Sequence, residues 1–384
     1  MRTIKFKLII LLLLVPTFLW AWSWKPPEQE PVKLVTAPFC FQSMQPSNSL
    51  SDADLVELAR RYRVISDGRT GFTAKQMARL REIRPKILIV RYLNFSAVSD
   101  PLKVELILRD HPDWAMRDAA SNPLSSRLGP TGLMLRPNSE GWKWYLVRKT
   151  SRFLVLGYDG IMADCVMMCG RLGKGFTGIN TETGHPYTTE EFRRHQLELV
   201  EAVKSALGQK SLVLNNVRRG EFYFSEEPYG FLDAADGLVA EGFRGYPHSS
   251  LEQHLSEITW LDNIYMMLNV QSRNKAIVVI IKIDKEVADR YTSEELRDYE
   301  LFQYCTFLLG LEDFAYYTAH VTDPDLYKKT LLFYPHHEIP LGSPTGDYEK
   351  RDGYYQREFE RGTVRINLKD HTGQILTKGD RTLD

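Results

Sequence analysis

Two acids in this chain share the same surroundings. Asp164 closes the run Asp159-Gly-Ile-Met-Ala-Asp164, and Glu241 closes Asp236-Gly-Leu-Val-Ala-Glu241. In both, an Asp-Gly pair precedes three apolar residues and then a carboxylate. A short apolar run between turn residues suits a strand buried on both faces of a parallel sheet. The C-terminal ends of such strands carry the chemistry of α/β barrels and open α/β sheets. A carboxylate there costs too much to bury unpaired, so it needs a partner, a metal or a task. Two acids flanking a cleft are what glycoside hydrolysis requires. One donates a proton to the leaving oxygen, and the other acts as nucleophile or base. The plainer alternative for Asp164 is a helix cap or an arginine pair. Asp159, at the start of its run and followed by Gly, reads as a structural turn acid.

Side-chain length and flanks divide the roles. Asp164 is short and follows its strand directly, which suits a fixed nucleophile or base. Glu241 is longer and is followed by Gly242 and Phe243. An aromatic neighbour that excludes water raises a carboxyl pKa, as a proton donor requires. Arg91, Tyr92 and Asn94 follow the third apolar run and are candidates for sugar hydroxyls, with a structural ion pair or turn as the alternative. Asn215 and Asn216 follow the fifth run, and strand alternation lets only one face the cleft. Arg244 follows Glu241 and lines the cleft or a solvated loop. Tyr316 is a sugar platform or a packing residue. Lys282 reads as a lysine that snorkels to the surface.

These residues need a scaffold that brings strand ends together. Apolar runs at 33–37, 64–66, 86–90, 161–163, 212–214, 238–240, 276–282 and 314–317 read as eight strands. Between them lie helical patterns at 51–62, 74–83, 142–156, 188–208, 249–268 and 292–309. Ser51 with Asp54, Thr188 with Glu191 and Thr292 with Glu295 are capping-box signals. Residues 95–140 and 170–186 read as long irregular loops, which in compact domains usually bind or cover substrate. Eight alternating units predict an α/β fold, a (β/α)8 TIM barrel over 33–330. After residue 330 prolines break the chain, and 362–367 and 372–377 read as strands of a small C-terminal β-rich segment, 331–384.

The 384 residues can bury a large core. With 49 basic and 49 acidic residues the chain shows no basic stripe for nucleic acid. Its 19 Tyr, 18 Phe and 7 Trp could stack on sugars, although aromatics more often serve the core. Arg2, Lys5 and Lys7 precede an apolar stretch over 8–24 and a Pro-rich linker over 25–32. This pattern predicts export, with the segment either a signal peptide or a membrane anchor. The span is short of the roughly 20 residues of a comfortable spanning helix. Cys165 and Cys169 are close enough in sequence to bridge in an oxidising compartment, or are small buried thiols. The pair His336-His337 lacks the spacing of metal ligands, and no cofactor or metal is expected.

Several motifs carry a family resemblance. Asp159-Gly-Ile-Met-Ala-Asp164, Glu241-Gly-Phe, Leu341-Gly-Ser-Pro-Thr-Gly346 and Gln356-Arg-Glu-Phe-Glu-Arg-Gly362 together resemble the hypothetical glycosyl hydrolase families related to α-galactosidase-type and endo-polygalactosaminidase-type barrels. The resemblance spans residues 33–367. Its most family-like piece is Arg357 to Gly362 leading into Val364-Arg-Ile-Asn367. Arg361 stands where Asn is usual, and Leu368 where Pro is frequent. The resemblance implies Asp164 as nucleophile or base and Glu241 as proton donor, acting on carbohydrate; it does not carry a substrate over. Two functions stay open: an exported glycoside hydrolase, and a carbohydrate-binding or polysaccharide-assembly protein on a barrel without turnover. A metal-dependent hydrolase is disfavoured by the lack of clustered His motifs.

Overall fold

The computed structural model describes residues 35–36, 50–67, 71–126, 132–166, 176–217, 219–226, 228–241, 243, 255–283, 288–321 and 334–378. Eight strands form one parallel sheet in chain order. They are β1 (Val35–Thr36), β2 (Val64–Asp67), β3 (Leu88–Asn94), β4 (Gly160–Asp164), β5 (Ser211–Val217), β6 (Gly237–Ala240), β7 (Ala276–Ile283) and β8 (Ala315–Val321). The sheet curls until β8 comes back beside β1. Helices cover its outside: α1 (Asp52–Arg61), α2 (Ala74–Ile83), α3 (Pro101–Asp110), α4 (Glu140–Val155), α5 (Thr189–Leu207), α6 (Gly220–Glu226), α7 (Tyr229–Ala234), α8 (Glu257–Ser272) and α9 (Ser293–Leu309). This is the expected (β/α)8 architecture. The three expected capping boxes are formed, at Ser51, Thr188 and Thr292.

The two Asp-Gly pairs do the same mechanical work. Asp159 accepts a hydrogen bond from the backbone N–H of Ile89 in β3 at 3.0 Å and pairs with Arg81 at 2.9 Å. Asp236 accepts from the N–H of Leu212 in β5 at 2.7 Å and pairs with Lys204 at 2.8 Å. Each acid thereby fixes its strand to the preceding one at the N-terminal rim. The following glycine allows close approach of the next strand. A Cβ on Gly160 would meet the Ser211 carbonyl oxygen at 2.3 Å, and one on Gly237 the Ala276 oxygen at 2.6 Å.

Two sequence expectations are corrected here. The segment 95–140 is not wholly irregular. It contains α3, which Asp100 caps through the N–H groups of Leu102 and Lys103, with Pro101 in the first turn. It also contains a ribbon pairing Ala97–Val98 with Leu133–Met134. The eighth strand does not stop at Tyr317 but runs to Val321, in register with β7 throughout.

The C-terminal segment is a four-stranded antiparallel sheet of β9 (Glu349–Arg351), β10 (Tyr354–Phe359), β11 (Gly362–Asn367) and β12 (Thr372–Thr377). It packs on α9. Arg357, which opens the family-like motif, is the fastener. Its guanidinium donates to the carbonyls of Leu309 at 2.9 Å, Leu311 at 2.7 Å and Gly346 at 2.9 Å, and pairs with Glu312 at 2.5 Å. A buried cation at a helix C-terminus satisfies carbonyls that have no partner within the helix.

Candidate active site

Five consecutive barrel strands each place one polar side chain at the C-terminal rim. Asp164 ends β4 and is buried. Its carboxylate accepts from the Tyr92 hydroxyl of β3 at 2.5 Å, from Asn215 Nδ2 of β5 at 2.9 Å and from the Cys165 backbone N–H at 2.7 Å. Three donors fix both oxygens, and all use Asp164 as acceptor, the state in which it can attack a carbon or take a proton. Glu241, directly after β6, accepts from the same Asn215 Nδ2 at 3.1 Å. Lys282 of β7 stands 3.7 Å from its other oxygen.

Asn215 is therefore the hinge of the arrangement. It is fully enclosed, and one nitrogen touches both acids. The pairing of β5 with β6 slips between Asn215 and Val217. Such irregularities re-aim side chains and recur next to active sites. The expectation that one of the two asparagines faces inward is met by Asn215. The side chain of Asn216 and all of Arg244 lie outside the described residues.

Burial dominates the electrostatics of Glu241. Burial pushes the Glu241 carboxyl above its ordinary range, and the Asp164 charge adds to this. Lys282 and the Asn215 amide oppose the rise without cancelling it. Cys165 sits in the left-handed region at φ 57°, which a non-glycine residue rarely adopts. That turn lets its N–H reach the side chain of Asp164 while its carbonyl accepts from Ser96 Oγ at 2.7 Å. Burial and the neighbouring Asp164 push the Cys165 thiol well up, so it stays protonated. It is a free cysteine, and Cys169 lies outside the described residues.

Three other expected binding residues are not free for sugar. Arg91 projects to the opposite face of β3 from Tyr92, because successive strand residues alternate. It pairs there with buried Asp67 at 2.5 Å and lies over the Phe153 ring at 5.3 Å. The ion pair with Asp67 is the arrangement that the plainer reading of Arg91 describes. Asn94 spends its amide on the turn. Its oxygen accepts from the N–H groups of Ser96 and Ala97 at 3.0 and 2.7 Å, and its nitrogen reaches Cys165 Sγ at 3.1 Å. Tyr316 is the second residue of the longer β8, so it lies at the N-terminal end of the barrel. It is buried there, with Arg63, the residue before β2, as its charged neighbour. Conversely, Lys282 was not expected at the site. Its signal was available, since it closes an apolar run as Asp164 and Glu241 do.

A second buried polar cluster lies on the outer side of β8. Glu300 of α9 accepts from Tyr317 at 2.8 Å, and it contacts His337 at 2.7 Å and His336 at 2.5 Å. The two histidines do converge with an acid, because α9 brings Glu300 to them; the ligand atoms lie within 4.8 Å of one another. Burial alone would raise the Glu300 carboxyl. The two imidazoles outweigh burial and hold it at about 2.

A model of hypothetical glycosyl hydrolase family 15 matches residues 81–363, including Asp164, Glu241 and Arg357. The chain belongs to this family. None of the curated proteins matches it. Among solved structures it is similar to the maltogenic α-amylase AmyB from Thermotoga neapolitana, at 12% identity and TM-score 0.52 over 90% of this chain and 85% of that one. It is also similar to the glycoside hydrolase domain of PelA from Pseudomonas aeruginosa, at 14% identity and TM-score 0.47 over 76% and 94%. The α-galactosidase TtGalA from Thermus thermophilus matches at 14% identity and TM-score 0.48 over 87% and 66%. At such identities the likeness concerns the fold alone, and that with AmyB agrees with a barrel.

Proposed function

We propose that the protein hydrolyses glycosidic bonds with retention of anomeric configuration, using Glu241 as general acid and Asp164 as nucleophile. The observation that carries this reading is the single amide nitrogen of Asn215 touching both carboxylates. With contacts of 2.9 and 3.1 Å, the two accepting oxygens lie no more than about 6 Å apart. Retaining enzymes hold their carboxyl groups about 5–5.5 Å apart, whereas inverting ones need about 6.5–9.5 Å to admit a water. Asp164 attacks the anomeric carbon while the leaving oxygen takes the Glu241 proton, giving a glycosyl ester on Asp164. Glu241, now ionised, takes a proton from water as that water attacks the same carbon and frees Asp164. Tyr92 and Asn215 hold the attacking carboxylate. Burial keeps Glu241 protonated into a higher pH range.

The test is a carbohydrate panel with product anomers followed by NMR from the first turnovers. Products of the starting configuration support the proposal, and inverted products refute the nucleophile role of Asp164. Absence of turnover on the whole panel, with binding retained, favours a carbohydrate-binding barrel instead. The basic and apolar N-terminus supports export. Fractionation that finds the full-length chain soluble in the cytoplasm would rule this out.

A further inference from the structure

A concave surface of about 460 Å³ opens between α3 and α4, outside the barrel mouth. Its floor is aromatic. His111 stacks flat on Trp114 with ring centres 4.0 Å apart, and Trp142 stacks on Tyr145 at 5.0 Å. At the rim Trp144 is 61% exposed and Leu106 47%.

Two donors that line this groove are left open to a ligand. Among the described residues, the Arg148 guanidinium and the Trp114 indole N–H have no hydrogen-bond or ion-pair partner. Trp114 is 8% exposed, and its indole N–H is open to solvent in the groove. Its Nε1 lies against Gly141, where a Cβ would come within 2.3 Å, so glycine there leaves room for the indole edge. The acid lining the groove, Asp110, is already held on both oxygens by Arg109 at 2.8 Å. Lys103, also in the lining, approaches Asp100 only to 3.5 Å. Burial and the neighbouring cations Lys103, Arg91 and Arg152 bring Lys149 down to about 8, which agrees with a local excess of positive charge.

The groove also lies on the catalytic side of the barrel. Trp142 Nε1 donates to the Phe95 carbonyl at 2.8 Å, and the Phe95 N–H donates to the Asp164 carbonyl at 2.9 Å. Two hydrogen bonds therefore separate its wall from the end of β4.

We propose that this groove binds a carboxylated glycan chain. A sugar ring offers an apolar C–H face to Trp144 and Tyr145, and its hydroxyl and carboxylate oxygens supply the acceptors that Arg148 and Trp114 lack. A flat anionic membrane would meet Trp144 but not the recessed Trp114. The site is separate from Asp164 and Glu241 and does not require turnover there.

The test uses the full chain carrying Asp164→Asn, so that no probe is consumed. Hexamers of galacturonate and of mannuronate, and maltohexaose as the neutral control, are titrated by tryptophan fluorescence and calorimetry. At least one acidic hexamer binds saturably, more weakly at higher salt, and about tenfold or more tighter than maltohexaose. Arg148→Ala and Trp144→Ala each weaken that binding about tenfold or more, the loss of one charge-assisted contact or stacking plane. Both residues are at the surface, and near-ultraviolet circular dichroism checks that the variants stay folded. Lack of binding by both acidic hexamers overturns the proposal. So does binding that neither variant weakens, or equal affinity for maltohexaose. Binding to phosphatidylglycerol vesicles that Trp144→Ala abolishes, with no acidic hexamer bound, overturns it in favour of a membrane face. Failure here leaves the hydrolase reading standing, and failure of turnover leaves the groove standing.

Discussion

Lys282 Nζ stands 3.7 Å from Glu241 Oε1. At that distance the cation opposes the effect of burial on the carboxyl but does not override it, and Glu241 stays raised. A general acid works only while protonated, so activity falls as pH rises through its pKa. Replacing Lys282 by Met removes an influence that lowers this pKa. The basic limb of the kcat/KM profile should move to higher pH. A limb that stays in place, or moves down, would show that Glu241 is not the group titrating there.

The division of labour between the acids has its own signature. Glu241→Gln should lower turnover of substrates with poor leaving groups by about 10²–10⁴-fold, while activated aryl glycosides, which need little protonation, lose far less. Asp164→Asn should remove turnover on both kinds. If Asp164→Asn keeps activity on activated substrates and Glu241→Gln loses it, the roles are exchanged. Full activity in both variants places the chemistry elsewhere.

Glu241→Gln should also stabilise the fold. The folded-state pKa of Glu241 lies above the ordinary value. Its favourable contribution is thus complete below the unfolded pKa and is lost as pH rises through the folded pKa. Above the folded-state pKa the ionised carboxylate is a burden that Gln removes; at pH 4 there is little to remove. The melting temperature of the variant should exceed that of the wild type at pH 8, with the gap closing towards pH 4. Sites that carry function commonly show this exchange of stability for activity. A gap independent of pH would assign the effect to packing.

Much of this site was legible because it follows a local rule. An apolar run bounded by an Asp-Gly pair and a final polar residue marks Asp164 and Glu241 without long-range information. Asn215 was found by the same rule, but not its contact with both acids, because that depends on how β4, β5 and β6 lie side by side. Arg91 and Tyr316 failed for a different reason. A side chain's face depends on strand register, and for Tyr316 the strand continues four residues beyond the apolar run. The end of β8 is polar at Thr318 and His320, so hydrophobicity does not mark it. The helix α3 was masked by the length of the segment around it, although Asp100-Pro101 announces its start. The Glu300 cluster joins residues 36 and 37 positions apart, so no local spacing reports it.

That cluster makes acid stability the last measurable consequence. The Glu300 carboxyl is enclosed, and its three contacts come from Tyr317, His336 and His337. Its pKa is depressed from the ordinary 4.5 to about 2, so its contribution is present above the unfolded value and is lost as pH falls through the folded one. A depression of that size corresponds to about 3 kcal/mol. Glu300→Gln keeps the shape but removes the charge that the two imidazoles face. Urea unfolding at pH 7 should show the variant less stable by about 2–4 kcal/mol. The difference should shrink progressively between pH 4.5 and pH 2, where wild-type Glu300 becomes neutral as well. The same difference at pH 7 and pH 2 would mean that the glutamate serves by shape and hydrogen bonding alone. Greater stability of the variant at pH 7 would mean that burying this anion costs more than its partners return.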